Sequence, residues 1–250
     1  GVVAIYTGED VAADEIGGPI SGWVTTQRDG SANPEPPHPI LANGKVRYVG
    51  DHIAAVIAET EQQAIDASEL VDVEYKVLPA VVDLATSANG VPVHDEVPSN
   101  TYFDFELGDE AATEDALANA ATIVELEVRN NRLIPNAMEP RAALAEYDPI
   151  DGSYTLHTTS QNPHLTRLVI GAFMLNIPES KLRVVAPDVG GGFGSKIYVY
   201  PEEAVCTWAS KKLCRPIKWT SDRSEAFLAD AHGRDHINKV RMGLDSNNKI

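Results

Sequence analysis

The sequence has few cysteines. It contains two, Cys206 and Cys214, and they are not arranged as a CxxC pair. Two thiols are too few to hold an iron–sulfur cluster, so this chain alone is not expected to carry one. Cys206 lies within an apolar helical pattern, which predicts a buried free thiol. This use of cysteine favours a reducing, cytoplasmic location.

The sequence is also short of basic residues and of long apolar runs. Lysine and arginine number 20 against 37 aspartates and glutamates, giving a formal net charge of -17. Such an acidic surface repels phosphates, so we expect no nucleic-acid partner. No stretch approaches the roughly 20 apolar residues of a membrane span, and no basic-then-apolar signal segment opens the chain. We therefore expect no membrane span, and secretion is not indicated.

Both ends have the character of cut ends. The chain begins GVVAIYTGED, with an apolar run already under way, and ends with a predicted strand, a DSNN turn and the start of a return strand. A return strand without a partner is not a stable ending. We therefore expect a fragment of a longer polypeptide.

Hydrophobic periodicity predicts a strand–helix–strand unit in the first third of the chain. Residues 47–58 predict a buried strand, and residues 72–82 predict a second, half-buried one that ends near Pro79. Between them, Thr60 and Gln63 form a capping box that opens a helix. The irregular residues 86–109 are interpreted as a linker.

The remainder predicts alternating strands and helices. The signals are β-type alternation, hairpin turn residues, and proline or a capping residue where a helix begins. They predict a helix opened by Thr113, a strand over 121–133, a hairpin over 141–161, a helix from Asn162 to Pro178, a strand over 181–189, a helix over 201–213 and a strand over 216–222.

A glycine-rich loop, PDVGGGFGSK, stands between a predicted strand and a predicted helix. The loop proper comprises Gly190, Gly191, Gly192, Phe193 and Gly194. Bare backbone of this kind lets N–H groups approach a bulky anion, although a purely structural turn is the alternative. Ser195 breaks a GxGxxG fingerprint, and Lys196 followed by Ile197 is not a P-loop ending. Phe193 is predicted either to anchor the loop by packing or to form a wall beside a ligand.

Gln161 is the second candidate. It follows a predicted strand and precedes a predicted helix, a common place for functional side chains in folds that combine strands and helices. Its amide can donate a hydrogen bond to an oxo or carbonyl oxygen. The alternative is a hydrogen bond that only braces the loop.

Four motifs in order carry a family resemblance. They are MEPRAALAEYDP (138–149), TTSQNPH (158–164), PDVGGGFGSK (187–196) and IKWTSDRSEAF (217–227), and residues 48–83 form a matching upstream segment. Together they resemble the large, molybdenum-binding subunit of the molybdenum hydroxylases, the xanthine oxidase and aldehyde oxidase family. The resemblance is greatest to the branch of aerobic carbon monoxide dehydrogenase.

The resemblance implies an α+β fold. An α/β hammerhead-like domain would occupy residues 1–85, a linker 86–109, and the first part of a molybdopterin-binding domain 110–250. Gln161 would hydrogen-bond an oxo ligand of molybdenum, and the loop with Phe193 would lie against the metal and the pterin. The cofactor would be molybdenum-molybdopterin in its cytosine dinucleotide form, with no side chain of this chain ligating the metal. Separate FAD-binding and 2Fe–2S subunits would complete a hetero-oligomer.

The implied activity is hydroxylation of an aldehyde or an N-heterocycle, or oxidation of CO, with water as the oxygen source. Ile197 stands where purine-oxidising relatives carry glutamate, which argues against a purine substrate. The base glutamate and the loop that distinguishes CO oxidisers are expected beyond Ile250. Glu139 is interpreted as a structural partner of Arg141, not as that base. The alternative hypothesis is a non-catalytic binding or assembly module on the same fold.

Overall fold

The computed structural model describes residues 1–21 and 25–250, and the chain forms two compact units. The first unit is built from Gly1–Gly22, Pro37–Leu78 and Ile134–His232. The second is built from Trp23–Pro36, Pro79–Leu133 and Gly233–Ile250. Neither unit is a continuous stretch of chain, so segments far apart in sequence assemble each of them.

A small antiparallel sheet with two helices opens the first unit. Its elements β1, α1, β2 and α2 span Val2–Thr7, Gly8–Ala13, Ala54–Ala58 and Glu61–Ser68. β1 and β2 pair antiparallel, with Tyr6 opposite Ala55. The Thr60 side chain accepts a hydrogen bond from the Gln63 amide at 3.3 Å. The predicted cap of α2 is thus confirmed.

The second strand predicted for this region is not formed. Residues 72–82 adopt no regular structure, and Val77 and Val82 are exposed. A strand needs a neighbour whose N–H and C=O groups pair with its own, and within the described residues the β1–β2 sheet has two strands only. Alternation alone therefore gave a wrong prediction here. β2 is also shorter than the predicted strand over 47–58.

A four-stranded sheet forms the centre of the first unit. Strands β4, β5, β6 and β7 span Ala142–Asp148, Ser153–Thr158, Leu182–Val185 and Ile217–Thr220. The order is β6-β5-β4-β7, with β5 and β6 parallel and the other two pairs antiparallel. The predicted hairpin of β4 and β5 is confirmed, with Ala143 opposite Thr158. β4 therefore begins at the edge where β5, β6 and β7 end.

Three helices, α4, α5 and α6, belong to the same unit as this sheet. They span Pro163–Leu168, Pro201–Leu213 and Arg223–Ala229. The predicted helix from Asn162 changes after α4 into a π-helix over Val169–Met174, which periodicity alone does not show. The buried core gathers side chains of the sheet, the π-helix and α5, among them Leu156, Ile170, Met174 and Trp208.

The second unit contains one α-helix, a 3₁₀-helix over Ser87–Asn89 and a two-stranded ribbon among its described residues. Helix α3 spans Glu110–Ala118, and its cap is Asp109, whose side chain accepts from the Ala112 amide at 2.9 Å. The helix thus begins before the predicted Thr113. β3, Thr122–Asn130, pairs antiparallel with β8, His236–Leu244. No helix in the described residues has both the length and the apolar character needed to cross a membrane.

The core predicts a clear difference between two aliphatic substitutions. Leu156→Ala in β5 removes a side chain with 0% exposure and should lower the free energy of unfolding by about 2–5 kcal/mol. Ile150→Ala in the hairpin turn, where the side chain is 92% exposed, should change it by less than about 0.5 kcal/mol. Urea denaturation of both variants measures the difference. Equal effects would contradict the core as described.

Candidate functional site

Neighbouring strand ends bring the candidate residues to one edge of the central sheet. Glu139 lies just before β4, Gln161 lies just after β5, and the glycine loop follows β6. Because β5 and β6 are parallel and β4 is antiparallel to β5, all three segments leave the sheet at the same edge. The sheet topology therefore unites motifs that are separated in sequence.

The loop backbone requires glycine at two positions. Gly191 and Gly194 have φ of +96° and +97°, a region that side-chain-bearing residues rarely adopt. Phe193 also has positive φ, +49°, which is uncommon for a residue other than glycine. The Gly192 carbonyl accepts from the Ser195 amide and from the Ser195 hydroxyl, each at 2.9 Å. These bonds close the turn.

Phe193 is not buried under the loop. Its side chain is 75% exposed, so it does not anchor the loop by packing into the core. The ring instead lies beside Gly191, where an added Cβ would come within 3.0 Å of Phe193 Cε2. Of the two predicted roles, the exposed aromatic surface favours a wall beside a ligand.

Gly190 and Gly192 are required for a different reason, the close approach of neighbouring side chains. A Cβ on Gly190 would lie 2.6 Å from Glu139 Cβ, and one on Gly192 would lie 2.3 Å from Gln161 Oε1. At Gly194, by contrast, a Cβ would meet nothing within 4 Å. Part of the bare backbone therefore serves contacts inside the protein, and only part of it borders open space.

Gln161 contacts the loop in a defined orientation. Its side-chain Oε1 accepts a hydrogen bond from the Gly194 amide at 3.0 Å, and its own backbone N–H donates to the Lys196 carbonyl at 2.8 Å. Within residues 1–21 and 25–250, no group accepts a hydrogen bond from the Gln161 Nε2 amide. Gln161 thus braces the loop, and it also leaves a donor available.

Glu139 and Lys196 form an ion pair beneath the loop. Lys196 is 2% exposed, and its Nζ donates to Glu139 Oε2 at 2.9 Å and to the Glu139 carbonyl at 2.8 Å. Burial by itself would raise the pKa of Glu139, but the hydrogen bonds from Lys196 and Gly190 and the charge of Lys196 lower it. The predicted pairing of Glu139 with Arg141 is wrong, because the Glu139 carboxylate forms its ion pair with Lys196.

The donors of the loop suit an anionic, oxygen-rich ligand. The backbone N–H groups of Gly192 and Phe193 donate to no group in the described part of the chain, and Gln161 Nε2 adds a third donor. Residues 190–194 carry no thiol, imidazole or carboxylate. A metal at this place would therefore be held by a bound organic group, as in a molybdenum–pterin cofactor, and the residues present fit such a group.

Two family models match the chain. Residues 93–250 match the molybdopterin cofactor-binding domain. Residues 1–79 match the a/b hammerhead domain of aldehyde oxidase and xanthine dehydrogenase. The chain belongs to the xanthine oxidase and aldehyde oxidase family. The predicted α+β fold, a hammerhead domain followed by a molybdopterin-binding domain, is thereby confirmed.

Similar proteins of this family include both CO-oxidising and heterocycle-oxidising enzymes by name. The carbon monoxide dehydrogenase large chain of Hydrogenophaga pseudoflava is 36% identical, over 100% of this chain and 31% of its own. The nicotine 6-hydroxylase large subunit of Paenarthrobacter nicotinovorans is 35% identical, over 85% of this chain and 26% of its own.

A solved structure shows the same architecture. The quinoline 2-oxidoreductase of Pseudomonas putida 86 superposes with a TM-score of 0.86 at 33% identity, over 98% of this chain and 30% of its own. The chain thus spans about a third or less of the length of these relatives.

In this family member, a buried charge network lies next to the loop. The Arg141 guanidinium donates to Glu202 Oε1 at 2.7 Å, to Glu202 Oε2 at 3.0 Å and to Asp230 Oδ1 at 2.5 Å. It also stacks on the Tyr200 ring, 3.6 Å from its centroid, and the Tyr200 hydroxyl donates to the Ser195 carbonyl at 2.6 Å. The network therefore supports the end of the glycine loop.

Sequence reasoning missed this network. Glu202 and Glu203 follow Pro201 at the start of α5, and such glutamates ordinarily face solvent and complement the helix dipole. Here both are buried. Glu203 Oε2 accepts from the Tyr200 amide at 2.9 Å, and its Oε1 accepts from the Thr158 hydroxyl. One signal was available in the sequence. The arginine of the MEPR motif, Arg141, stands at the start of a predicted strand, and an arginine that is buried there needs carboxylate partners.

His52, Glu202 and Glu225 approach one another closely, with ligand atoms within 4.8 Å. Both oxygens of Glu202 already accept from Arg141, whose charge repels a cation. Burial favours a raised pKa of Glu202, but the hydrogen bond from His52 and the charge of Arg141 lower it to about 2. We therefore interpret the three residues as part of the ion-pair network and assign no metal to them.

His52 makes the stability of the first unit depend on pH. Burial lowers its pKa, but the hydrogen bond to Glu202 and the negative charge of Glu202 raise it above 6.5. The folded state therefore holds the proton more tightly than the unfolded state. This stabilisation is complete below the unfolded-state pKa and is lost as pH rises through the raised folded-state pKa.

The expected result is a steeper loss of stability in the wild type than in His52→Gln as pH rises above the ordinary histidine value of about 6.5. Urea unfolding measured at several pH values up to about 9 tests this, because Tyr200, with a pKa raised by burial to about 12, titrates beyond that window. Parallel pH profiles for the two proteins would show that His52 contributes nothing.

Proposed function

We propose that the chain is the molybdenum-cofactor-binding part of an oxidoreductase that takes the oxygen of its product from water. The observation that carries this proposal is the orientation of Gln161. Its Oε1 is held by the Gly194 amide, so its Nε2 remains as a donor beside a loop with two further free N–H groups. Gln161 is exposed, so this donor is accessible to a bound group.

The residues have distinct roles in this proposal. A bound molybdenum–pterin group supplies the redox chemistry and activates water. Gln161 donates a hydrogen bond to an oxygen of that group, and the N–H groups of Gly192 and Phe193 act as further donors. Phe193, exposed at the loop surface, would border the space beside the reacting centre.

We propose a small substrate that is CO, an aldehyde or an N-heterocycle. The names of similar proteins cover CO, the heterocycles nicotine and quinoline, and the purines xanthine and hypoxanthine, and aldehyde oxidoreductases share the fold. Ile197, which is 41% exposed after the loop, offers no charged or hydrogen-bonding group to a purine. This supports the exclusion of purines.

Further parts of the proposal concern the form of the cofactor, the partner subunits and the location in the cell. We propose the cytosine dinucleotide form of molybdopterin, FAD-binding and 2Fe–2S partner subunits, and a cytoplasmic hetero-oligomer. The free thiols Cys206 and Cys214 support a reducing location and leave cluster binding to other chains. The division into a hammerhead domain over 1–85, a linker over 86–109 and a cofactor domain over 110–250 stays a prediction.

The test is Gln161→Ala in the native holoenzyme, with Gln62→Ala as the matched control. Gln62 is an exposed glutamine on α2 whose side-chain Nε2 donates to Asp66 Oδ1 at 2.7 Å. Gln161→Ala should lower turnover about tenfold to a hundredfold, the usual effect of losing a partner next to a metal centre. Gln62→Ala should leave turnover unchanged, and both variants should keep the wild-type melting temperature.

The same preparations should be assayed for molybdenum, for CMP released from the cofactor, and for turnover with CO, an aldehyde, quinoline and xanthine. Molybdenum with CMP and turnover of a substrate other than xanthine agrees with the proposal. A folded, cofactor-supplied wild type without molybdenum or pterin would instead favour a non-catalytic binding or assembly module. Unchanged turnover in Gln161→Ala would remove Gln161 from the mechanism.

A further inference from the structure

We propose that the Glu139–Lys196 ion pair is a positioning clamp that holds both ends of the glycine loop and thereby orients Gln161. The clamp is a feature of this chain's own residues, while its effect on cofactor retention rests on the proposed function. Glu139 belongs to the segment before β4, Gly190 is the first residue of the loop, and Lys196 lies just beyond its last residue. One carboxylate therefore joins the two ends of the loop.

Glu139 bonds to Gly190 and to Lys196 through both its side chain and its backbone. Its Oε2 accepts from the Gly190 amide at 2.7 Å and from Lys196 Nζ at 2.9 Å. Its backbone participates as well, since its carbonyl accepts from Lys196 Nζ at 2.8 Å and its N–H donates to the Gly190 carbonyl at 3.3 Å. The absence of a Cβ on Gly190 makes this approach possible.

Lys196 passes this restraint on to Gln161. The Lys196 carbonyl accepts the backbone N–H of Gln161 at 2.8 Å, so the position of Lys196 sets where the Gln161 backbone lies. The side chain of Gln161 then meets the Gly194 amide inside the same loop. A shift of Lys196 would therefore move the Gln161 Nε2 donor.

Burial of the lysine makes its carboxylate partner necessary, although the Glu139 side chain is itself 38% exposed. Lys196 is 2% exposed, and a buried ammonium group without a partner is strongly unfavourable. Loss of Glu139 would thus leave Lys196 uncompensated and free the Gly190 amide at the same time. Both effects act on loop residues, which distinguishes the pair from an ion pair that only adds stability elsewhere.

Lys212 and Asp14 provide a chemically equivalent comparison within the same unit, although the Lys212 side chain is 32% exposed and the Lys196 side chain only 2%. They are also a lysine–carboxylate pair, with 2.7 Å between Nζ and Oδ2, but they lie at the end of α5 and after α1. Within the described residues, the side-chain hydrogen bonds, ion pair and ring contacts of Lys212 and Asp14 involve each other, Trp208 and Tyr6, and no residue of the glycine loop. Lys212→Met therefore removes the same chemical group as Lys196→Met without touching the proposed clamp.

The experiment uses the native holoenzyme with Lys196→Met, Lys212→Met, and Lys196→Arg as the conservative rescue. The double variant Glu139→Gln/Lys196→Met removes both charges together and so remains foldable if the single variant is not. Two quantities are measured: amide hydrogen exchange of a peptide covering residues 190–196, and the rate at which molybdenum and CMP are lost from the desalted protein.

We expect loop exchange in Lys196→Met and in the double variant to be faster by about tenfold, the equivalent of one lost hydrogen bond to a charged group. Molybdenum loss should be faster by about tenfold to a hundredfold, as for other residues that support a metal centre from outside its ligands. Lys196→Arg should restore both quantities towards wild type, and Lys212→Met should match wild type in both.

Unchanged loop exchange in Lys196→Met and in the double variant would overturn the clamp. Equal effects of Lys196→Met and Lys212→Met would also overturn it, because they would show a general loss of stability. If the wild type itself holds no molybdenum, the proposed function fails, and the exchange measurement alone then decides the clamp. Failure of one idea is therefore distinguishable from failure of the other.

Discussion

A buried arginine is the constraint on which the rest of the site depends. Arg141 stands just before β4 and is 4% exposed, so its charge must be balanced inside the protein. Glu202 at the start of α5 and Asp230 after α6 supply that balance. Removing one partner of such a buried pair typically costs about 3–5 kcal/mol. The arginine therefore fixes how two helical segments meet the edge of the sheet from which the loop emerges.

Short contacts connect the glycine loop to the buried Arg141 and so fix the position of the loop. Tyr200 lies against Arg141, and its hydroxyl holds the Ser195 carbonyl. From the other side, Glu139 and Gln161 occupy the space that Cβ atoms on Gly190 and Gly192 would fill. The loop is consequently close-packed at Gly192, which is buried, and open at Phe193, which is exposed. Such pre-organisation is what electrostatic binding of an anion requires.

Short sequence patterns correctly predicted the elements that are formed by residues close to one another in the chain. The hairpin of β4 and β5 follows from its alternation and turn residues, and α5 follows from Pro201 and its apolar pattern. The cap at Asn162 accepts from the Leu165 amide at 3.4 Å, also as predicted. That Gln161 and the loop lie together was implied by the family resemblance, and the structure places them after the adjacent strands β5 and β6.

The failures concern interactions that no short window contains. Residues 72–82 alternate like a strand, but the described chain brings no partner to their backbone. The partner of Glu139 is Lys196, not the nearby Arg141, because the parallel pairing of β5 and β6 returns the chain to the start of β4. The burial of Glu202 depends in the same way on a distant arginine. Tertiary contacts decide these cases.

The acidity of the chain bears directly on how an anionic ligand is held. With a net charge of -17, long-range electrostatics oppose the approach of a pterin phosphate, although salt screens this repulsion beyond about 10 Å at 0.1 M. The nearest buried cations do not offset it, because Glu139 neutralises Lys196, and Glu202 and Asp230 neutralise Arg141. Attraction must then come from oriented dipoles at short range. The backbone N–H groups of Gly192 and Phe193 and the side-chain Nε2 of Gln161, which donate to no group in the described residues, are the dipoles to which the proposal assigns this role, so that it needs an accurate backbone more than charge.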